Sequence, residues 1–185
     1  MILDLVLINL SIVISYLIRY DFRIIEYTNG FPVALINPFK IIKTLKGDEI
    51  EIFALINELA VYEKEPDEVT NTATELRKHL FEEHLCDAIV AIENQKIIGF
   101  ALFYISYSTW KGKCLYLEDF YVRQEYRKLG VGSMLFEETI KIAKSIKAKR
   151  LDWLVLDWND IAINFYKKQG TTLDNSWING RISFD

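Results

Sequence analysis

Residues 115–134, LYLEDFYVRQEYRKLGVGSM, run from an apolar strand through Arg127-Lys128-Leu129-Gly130-Val131-Gly132 into a helix. Residues 115–122 are aromatic, apolar or β-branched apart from the pair Glu118-Asp119, the composition of a mostly buried strand. From Gly130 onward, Val131, Met134, Leu135, Ile140, Ile142 and Ala143 fall broadly on one helical face, with Glu137, Glu138, Lys141 and Lys144 on the other. A strand that hands over to a helix at two glycines has the layout of a pyrophosphate cradle. Without a Cβ at Gly130 or Gly132 the backbone can turn sharply and bring N–H groups against phosphate oxygens, while the helix N-terminus adds partial positive charge. The spacing is not the Gly-x-Gly-x-x-Gly of a dinucleotide fold, and no Gly-Lys-Ser/Thr for a nucleoside triphosphate is present. Taken alone, a plain strand-to-helix turn accounts for the same glycines.

A second block shifts that balance. Arg-x-x-Gly-x-Gly after a strand ending in Val122-Arg123 resembles the acetyl-CoA motif of the GNAT acetyltransferase superfamily, and residues 157–170, DWNDIAINFYKKQG, resemble its late strand, helix and Tyr-x-x-x-Gly signature. Within the superfamily the resemblance narrows to the spermidine/spermine (diamine/thialysine) N-acetyltransferase group. It is carried by residues 59–63 (LAVYE), 99–104 (GFALFY), 107–113 (YSTWKGK), 116–122 (YLEDFYV) and the Trp-Asn block. It spans about residues 39–185 and leaves out the first 36 or so. The resemblance implies an α/β fold, a mixed and mainly antiparallel sheet with helices on both faces. It also implies acetyl-CoA as acetyl donor, a small cationic amine as substrate and a homodimer.

The chemistry of such a transfer needs a neutral amine, a polarised carbonyl and a proton for the departing thiolate. A primary alkylamine has a pKa of about 10.4 and must lose a proton before it attacks at neutral pH. Adjacent residues of a regular strand point to opposite faces, so only one of Glu118 and Asp119 can face a cleft unless a β-bulge re-aims the other. The resemblance favours Glu118 as the water-assisted base or amine anchor. Asp119 is then a second charge near the substrate, or a buried carboxylate with a structural partner. Tyr166 is the implied acid: a phenol with a pKa of about 10 stays protonated at pH 7 and can give its proton to a thiolate of pKa about 8.5. A tyrosine packed beside Phe165 is the plainer alternative.

The implied cofactor contacts are backbone groups of Phe120, Tyr121 and Val122 and the N–H groups of Lys128, Leu129, Gly130, Val131, Gly132 and Ser133. Arg127 and Lys128 add positive charge, and Asn159, Asp160, Ile161 and Tyr166 come from the late block. Ile161 stands where the family often has proline, two residues after the asparagine, which bears on the helix start and removes no catalytic group. Substrate contacts fall on Tyr62, Glu63, Trp110, Glu118 and Asp119, with Trp110 either at the cleft rim or packed in a hairpin. The acidic stretch Glu63, Glu65, Asp67 and Glu68 suits a polycation, although Glu65 and Glu68 read equally as a solvated turn.

Behind these residues stand elements that must hold them. The order is a strand over 39–45, a helix over 47–63, a second helix to about 83, and strands over 86–93 and 96–106 joined at Asn94-Gln95. The motif strand and helix follow, then a strand over 150–156, a short helix over 160–169, and strand candidates at 171–173 and 177–183. With 185 residues, 51% of them hydrophobic, the chain can bury one sizeable core, read as a single acetyltransferase domain over 37–185. A net charge of −4 argues against a nucleic-acid surface. Cys86 and Cys114 form no framework and read as reduced thiols of a cytoplasmic protein; His79 and His84 lack metal-site company, so no metal is expected.

Residues 1–36 form a hydrophobic extension. Met1–Ile18 meets the minimum length of a membrane span, yet Asp4 and Asn9 weaken that reading, and a packed extension or a misassigned start fits as well. The C-terminus departs from the group: Asp174-Asn175-Ser176 precedes Trp177 in place of an acidic pair, and the sequence reads to Asp185 where the group continues with a charged tail. Two rivals to a small-amine acetyltransferase are a protein or peptide amine acetyltransferase and a non-catalytic acyl-CoA-binding module.

Overall fold

The structure, a computed structural model, describes residues 37–184. They divide into two compact units, one ending at Asp152 and the other starting at Trp153.

The first unit is a five-stranded sheet in the order β1 (Lys40–Lys43), β2 (Asp87–Glu93), β3 (Lys96–Ser108), β4 (Gly112–Val122) and β5 (Leu151–Asp152). All neighbours are antiparallel except β4 and β5. Sequence neighbours are thus sheet neighbours through β4. The β2–β3 turn is the expected two-residue hairpin: Asn94 and Gln95 have φ of 46° and 71°, and Glu93 pairs with Lys96.

Helices α1 (Glu49–Glu63) and α2 (Ala73–Phe81) cover one face. Ile52 and Leu55 of α1 and Leu76 and Leu80 of α2 form a buried cluster with Ala88, Val90, Ile92, Phe100, Leu102 and Tyr121 of the sheet. Thr72 caps α2 by accepting from Glu75 N–H at 3.1 Å, which sets its start. Helix α3 (Val131–Ser145) packs on β2, β3 and β4 through a second buried set, Val131, Leu135, Phe136, Thr139 and Ala143. Phe136 meets Phe120 of β4 edge to face at 6.0 Å. The sheet is therefore apolar on both sides, and even the alternate residues Ile89 and Ala91 of β2 are buried.

The second unit contains helix α4 (Asp160–Lys168). Three expectations change here. The strand expected over 150–156 is only Leu151–Asp152, paired with Leu115 and Tyr116 of β4, and beyond it the ladder stops. The strand candidates at 171–173 and 177–183 are not strands: no ladder partner exists for them among the described residues, and Trp177, Ile178 and Ile182 are largely exposed. Strand-favouring residues make a strand only where an edge receives them. Among the described residues no helix is long and apolar enough to cross a membrane. The readings of residues 1–36 lie outside the described residues.

Candidate active site

The acidic pair sits at a break in the β3–β4 ladder. Tyr104 pairs with Tyr116 and Phe103 with Leu117, but Leu102 pairs with Asp119, so Glu118 is the extra residue of a β-bulge. Leu117 lies on the α3 side of β4 and Tyr121 on the α1–α2 side. The added residue turns both Glu118 and Asp119 toward the latter face, where strict alternation would have separated them. The condition attached to Asp119 in the sequence is met.

Glu63, the last residue of α1, joins them. Burial raises the Glu63 carboxyl above its ordinary range. Asp119 is pushed up to about 7, first by burial and then by the negative charges of Glu118 and Glu63. The fold thus gathers Glu118 with two carboxyls, Glu63 and Asp119, whose surroundings oppose their charge, the kind of perturbation that marks a candidate functional site. Two tyrosines flank the group. The rings of Tyr104 and Tyr116 lie 5.2 Å apart. Burial raises the Tyr104 phenol, and the Glu118 charge and a Tyr104–Glu118 hydrogen bond add to the shift. The Tyr116 phenol is raised by burial and by Glu118 as well. Neither tyrosine was singled out from the sequence. Counting register back from the Ser108–Gly112 turn would have placed them opposite one another.

Of the remaining substrate candidates, Tyr62 precedes Glu63 on the last turn of α1. Trp110 is not brought to the carboxylates. It stands in the β3–β4 turn, 84% exposed, and Gly112 to Glu118 spans about 20 Å of strand at about 3.4 Å per residue.

The glycine turn follows β4 through a short 3₁₀ turn, Gln124–Tyr126. Lys128 (φ 65°) and Gly130 (φ 89°) are both left-handed, and Gly130 is the residue before α3. Lys128, Leu129 and Gly130 are exposed, Gly132 and Ser133 half-buried, and Val131 anchors the helix in the core. The parallel ladder between β4 and β5 stops at Tyr116, before the bulge. An edge of that kind can take an extended ligand as an added strand, and the left-handed turn opening a helix aims amides at an anion. A phosphopantetheine arm with its pyrophosphate fits this pairing of edge and turn. Arg127 departs from the expected charged loop residue. Its Nε donates to the Val122 carbonyl at 2.9 Å, and its guanidinium lies over the rings of Tyr62 and Tyr121.

Arg123, unremarked in the sequence, ties this end of the sheet together. It makes a two-pronged pair with Glu58 of α1 at 2.9–3.2 Å and donates to the Ile97 carbonyl at 3.1 Å.

In the second unit Asn159 is the N-cap of α4, accepting from Ala162 N–H at 3.2 Å, and is nearly buried. The cap starts the helix where Ile161 replaces proline. Asp160 and Ile161 are exposed. Tyr166 is 5% exposed, its ring 4.8 Å from that of Trp153 and 5.3 Å from that of Phe165. Its ring has packing partners as well as the predicted position in the motif.

Comparison with known proteins gives this geometry a family. Residues 51–171 match the acetyltransferase (GNAT) family. The chain is 36% identical over 128 residues to a thialysine N-epsilon-acetyltransferase of Caenorhabditis elegans, covering 69% of this chain and 79% of the relative. It is 38% identical over 134 residues to the enzyme of that name from Bos taurus, covering 68% and 79%. Among solved structures, an integron cassette protein from the mobile metagenome of V. cholerae superposes with a TM-score of 0.66 at 27% identity, covering 80% of this chain and 94% of that one. A soil-metagenome aminoglycoside acetyltransferase superposes at 0.69 with 18% identity, covering 81% and 99%, which bears on the fold alone. The mainly antiparallel sheet with helices on both faces is that of an acyl-transferring GNAT domain. The chain belongs to the GNAT acetyltransferase family and is an N-acetyltransferase.

Proposed function

We propose that this chain moves the acetyl group of acetyl-CoA directly to a primary amine of a small cationic substrate, a polyamine, a diamine or a thialysine-like amino acid. The observation that carries the reading is the bulge at Glu118, which puts Glu118 and Asp119 on the face that also holds Glu63. Such a group suits an ammonium-bearing ligand better than a neutral peptide. The names of the relatives support the same class.

In this reading acetyl-CoA supplies the activated thioester, and the chain supplies position and protons. Phe120, Tyr121 and Val122 align the pantetheine arm along β4. Residues 128–133 hold the pyrophosphate end through backbone amides, with Lys128 adding charge. Asn159, Asp160 and Ile161 contribute from the start of α4. Asp119 and Glu63 hold the substrate's remaining charge, and Glu118 takes the proton that the attacking amine must lose, directly or through water. Tyr166 gives its proton to the departing thiolate. Trp110 has no part in this arrangement. The domain occupies residues 37–185. The exposed Trp177, Ile178, Ile182 and Phe184 support a homodimer that covers them, which light scattering tests.

The experiment is turnover on a panel of amines with release of free CoA as the readout. Spermidine, a diamine and thialysine are expected to be acetylated, and a lysine-containing peptide is not. Glu118→Gln and Tyr166→Phe should each lower turnover by about 10²- to 10⁴-fold. The residual rate of Glu118→Gln should rise as pH approaches the amine pKa. Acetylation of the peptide alone would favour the protein-acetylating rival, and Tyr166→Phe at the wild-type rate would remove Tyr166 as the acid.

A further inference from the structure

The Arg127 side chain fastens three segments. Its Nε is bonded to the carbonyl of Val122, the last residue of β4. Its guanidinium carbon lies 4.6 Å from the ring centroid of Tyr62, on the last turn of α1, and 5.4 Å from that of Tyr121, which is buried in the core of β4. Its own backbone begins the turn that leads to Gly130 and α3. A guanidinium that lies over two rings while bonded to a carbonyl is held, because planar stacking and a directed N–H bond fix its orientation together. Helix α1 has no basic residue in its last turn, and Arg127 brings a positive charge to that end, where the helix dipole is negative.

The residue after Tyr62 is Glu63, one of the three carboxylates. An open groove of about 470 Å³ runs beside this contact, lined by Tyr62, Tyr121 and Arg127 with Glu58, Val61 and Gln124. Among the described residues no layer covers the end of α1 at this point, and the contact with Arg127 holds it. We propose that Arg127 is a positioning residue for the amine site: seated on Tyr62, it fixes the last turn of α1 and so the Glu63 carboxylate, through a residue of the cofactor turn. Tyr62 is then the seat of Arg127 on this ring face and acts on the substrate through Glu63. The proposal rests on the amine-acetylating reading given above, and it assigns the Arg127 charge to Tyr62 where the sequence alone assigned it to the pyrophosphate.

The test uses the full chain with Arg127→Met, Tyr62→Phe, Tyr62→Leu and the Tyr62→Leu/Arg127→Met pair. Acetyl-CoA affinity is read by calorimetry, and KM and kcat with spermidine. Arg127→Met should raise the KM for spermidine about tenfold, in the range of a partly buried cation–π contact, a larger factor than any change in the acetyl-CoA Kd. Tyr62→Phe keeps the ring and should leave hydrogen exchange of amides 58–64 as in wild type, unlike Tyr62→Leu. Tyr62→Leu should match Arg127→Met, and the double variant should be no worse than either single one, the mark of one shared interaction. Hydrogen exchange of amides 58–64 needs no amine and should quicken in Arg127→Met and Tyr62→Leu alike. A tenfold loss of acetyl-CoA affinity in Arg127→Met with unchanged exchange over 58–64 would overturn the proposal and make Arg127 a pyrophosphate counter-ion. A Tyr62→Phe variant as impaired as Tyr62→Leu would overturn it too, since the phenol and not the ring face would then matter. Quickened exchange with no turnover on any amine by the wild type would sustain the positioning role and count against the substrate reading alone.

Discussion

Asp119 couples stability to pH in a direction opposite to most carboxylates. Its pKa stands at about 7 where an ordinary aspartate has 3.8, so the native state keeps a proton over about three pH units in which the unfolded chain has lost it. Stability falls as pH rises through that window: the contribution is fully present below pH 4 and lost above pH 7. At about 1.4 kcal/mol per unit the whole effect is at most about 4 kcal/mol, and about 2–3 kcal/mol of it lies between pH 5 and pH 8. Asp119→Asn stays neutral throughout. Its stability relative to wild type should therefore increase by about 2–3 kcal/mol from pH 5 to pH 8, measured by urea denaturation at the two pH values. Glu63→Gln removes one of the charges that opposes Asp119 ionisation and should flatten the wild-type slope. In catalysis the same proton matters with the opposite sign. Asp119 gains its negative charge as pH rises through about 7, so the KM for a dication should fall there in wild type and not in Asp119→Asn. A wild-type minus Asn difference that is the same at pH 5 and pH 8 would refute the claim that burial and the two neighbouring carboxylates oppose this charge.

Three further perturbations report on the frame around the site. Gly99→Ala would place a Cβ 2.7 Å from the Tyr121 carbonyl oxygen and 3.2 Å from Val122 Cα; both are backbone, so β3 and β4 must part. Thermal denaturation should show a loss of about 1–3 kcal/mol, together with a weakened response to acetyl-CoA. Glu58→Gln exchanges the carboxylate opposite a mostly buried Arg123 for a neutral amide and should cost about 1.5–3 kcal/mol by chemical denaturation. Gly130→Arg forces a bulky residue into φ 89° at the head of α3 and should abolish the acetyl-CoA thermal shift, whereas Tyr166→Phe should leave that shift nearly intact while turnover falls.

The parts of the fold legible in the sequence were those written in local chemistry. Asn94-Gln95 between two apolar runs predicts a hairpin, and both residues adopt the left-handed conformations such a turn needs. Gly130 before an amphipathic run predicts a helix start, and α3 begins one residue later. The strand candidates at 171–173 and 177–183 did not form because strand-favouring residues are a local signal, whereas a strand requires a partner elsewhere. The Arg127 contacts were hidden for a similar reason. Arg127 and Tyr62 are 65 residues apart in number, and a charged residue in a glycine-rich turn looks solvated until the last turn of α1 is laid beside it.

The acidic pair was legible further than simple alternation allowed. The sheet is apolar on both sides, with α1 and α2 over one face and α3 over the other. In a regular strand one of Glu118 and Asp119 would point under α3, among Leu117, Phe120 and Phe136, at a cost of several kcal/mol for a carboxylate without a partner. A bulge avoids that cost by spending one residue, and it leaves both acids on the face where Glu63 and the paired tyrosines lie. Two consecutive carboxylates within a strand covered on both faces are thus a signal for a bulge in their own right. The same irregularity that relieves the core buries Asp119 on that face beside Glu118 and Glu63, and burial first and those charges second raise its pKa, so the stability cost at Asp119 and the grouping of the acids have one structural origin.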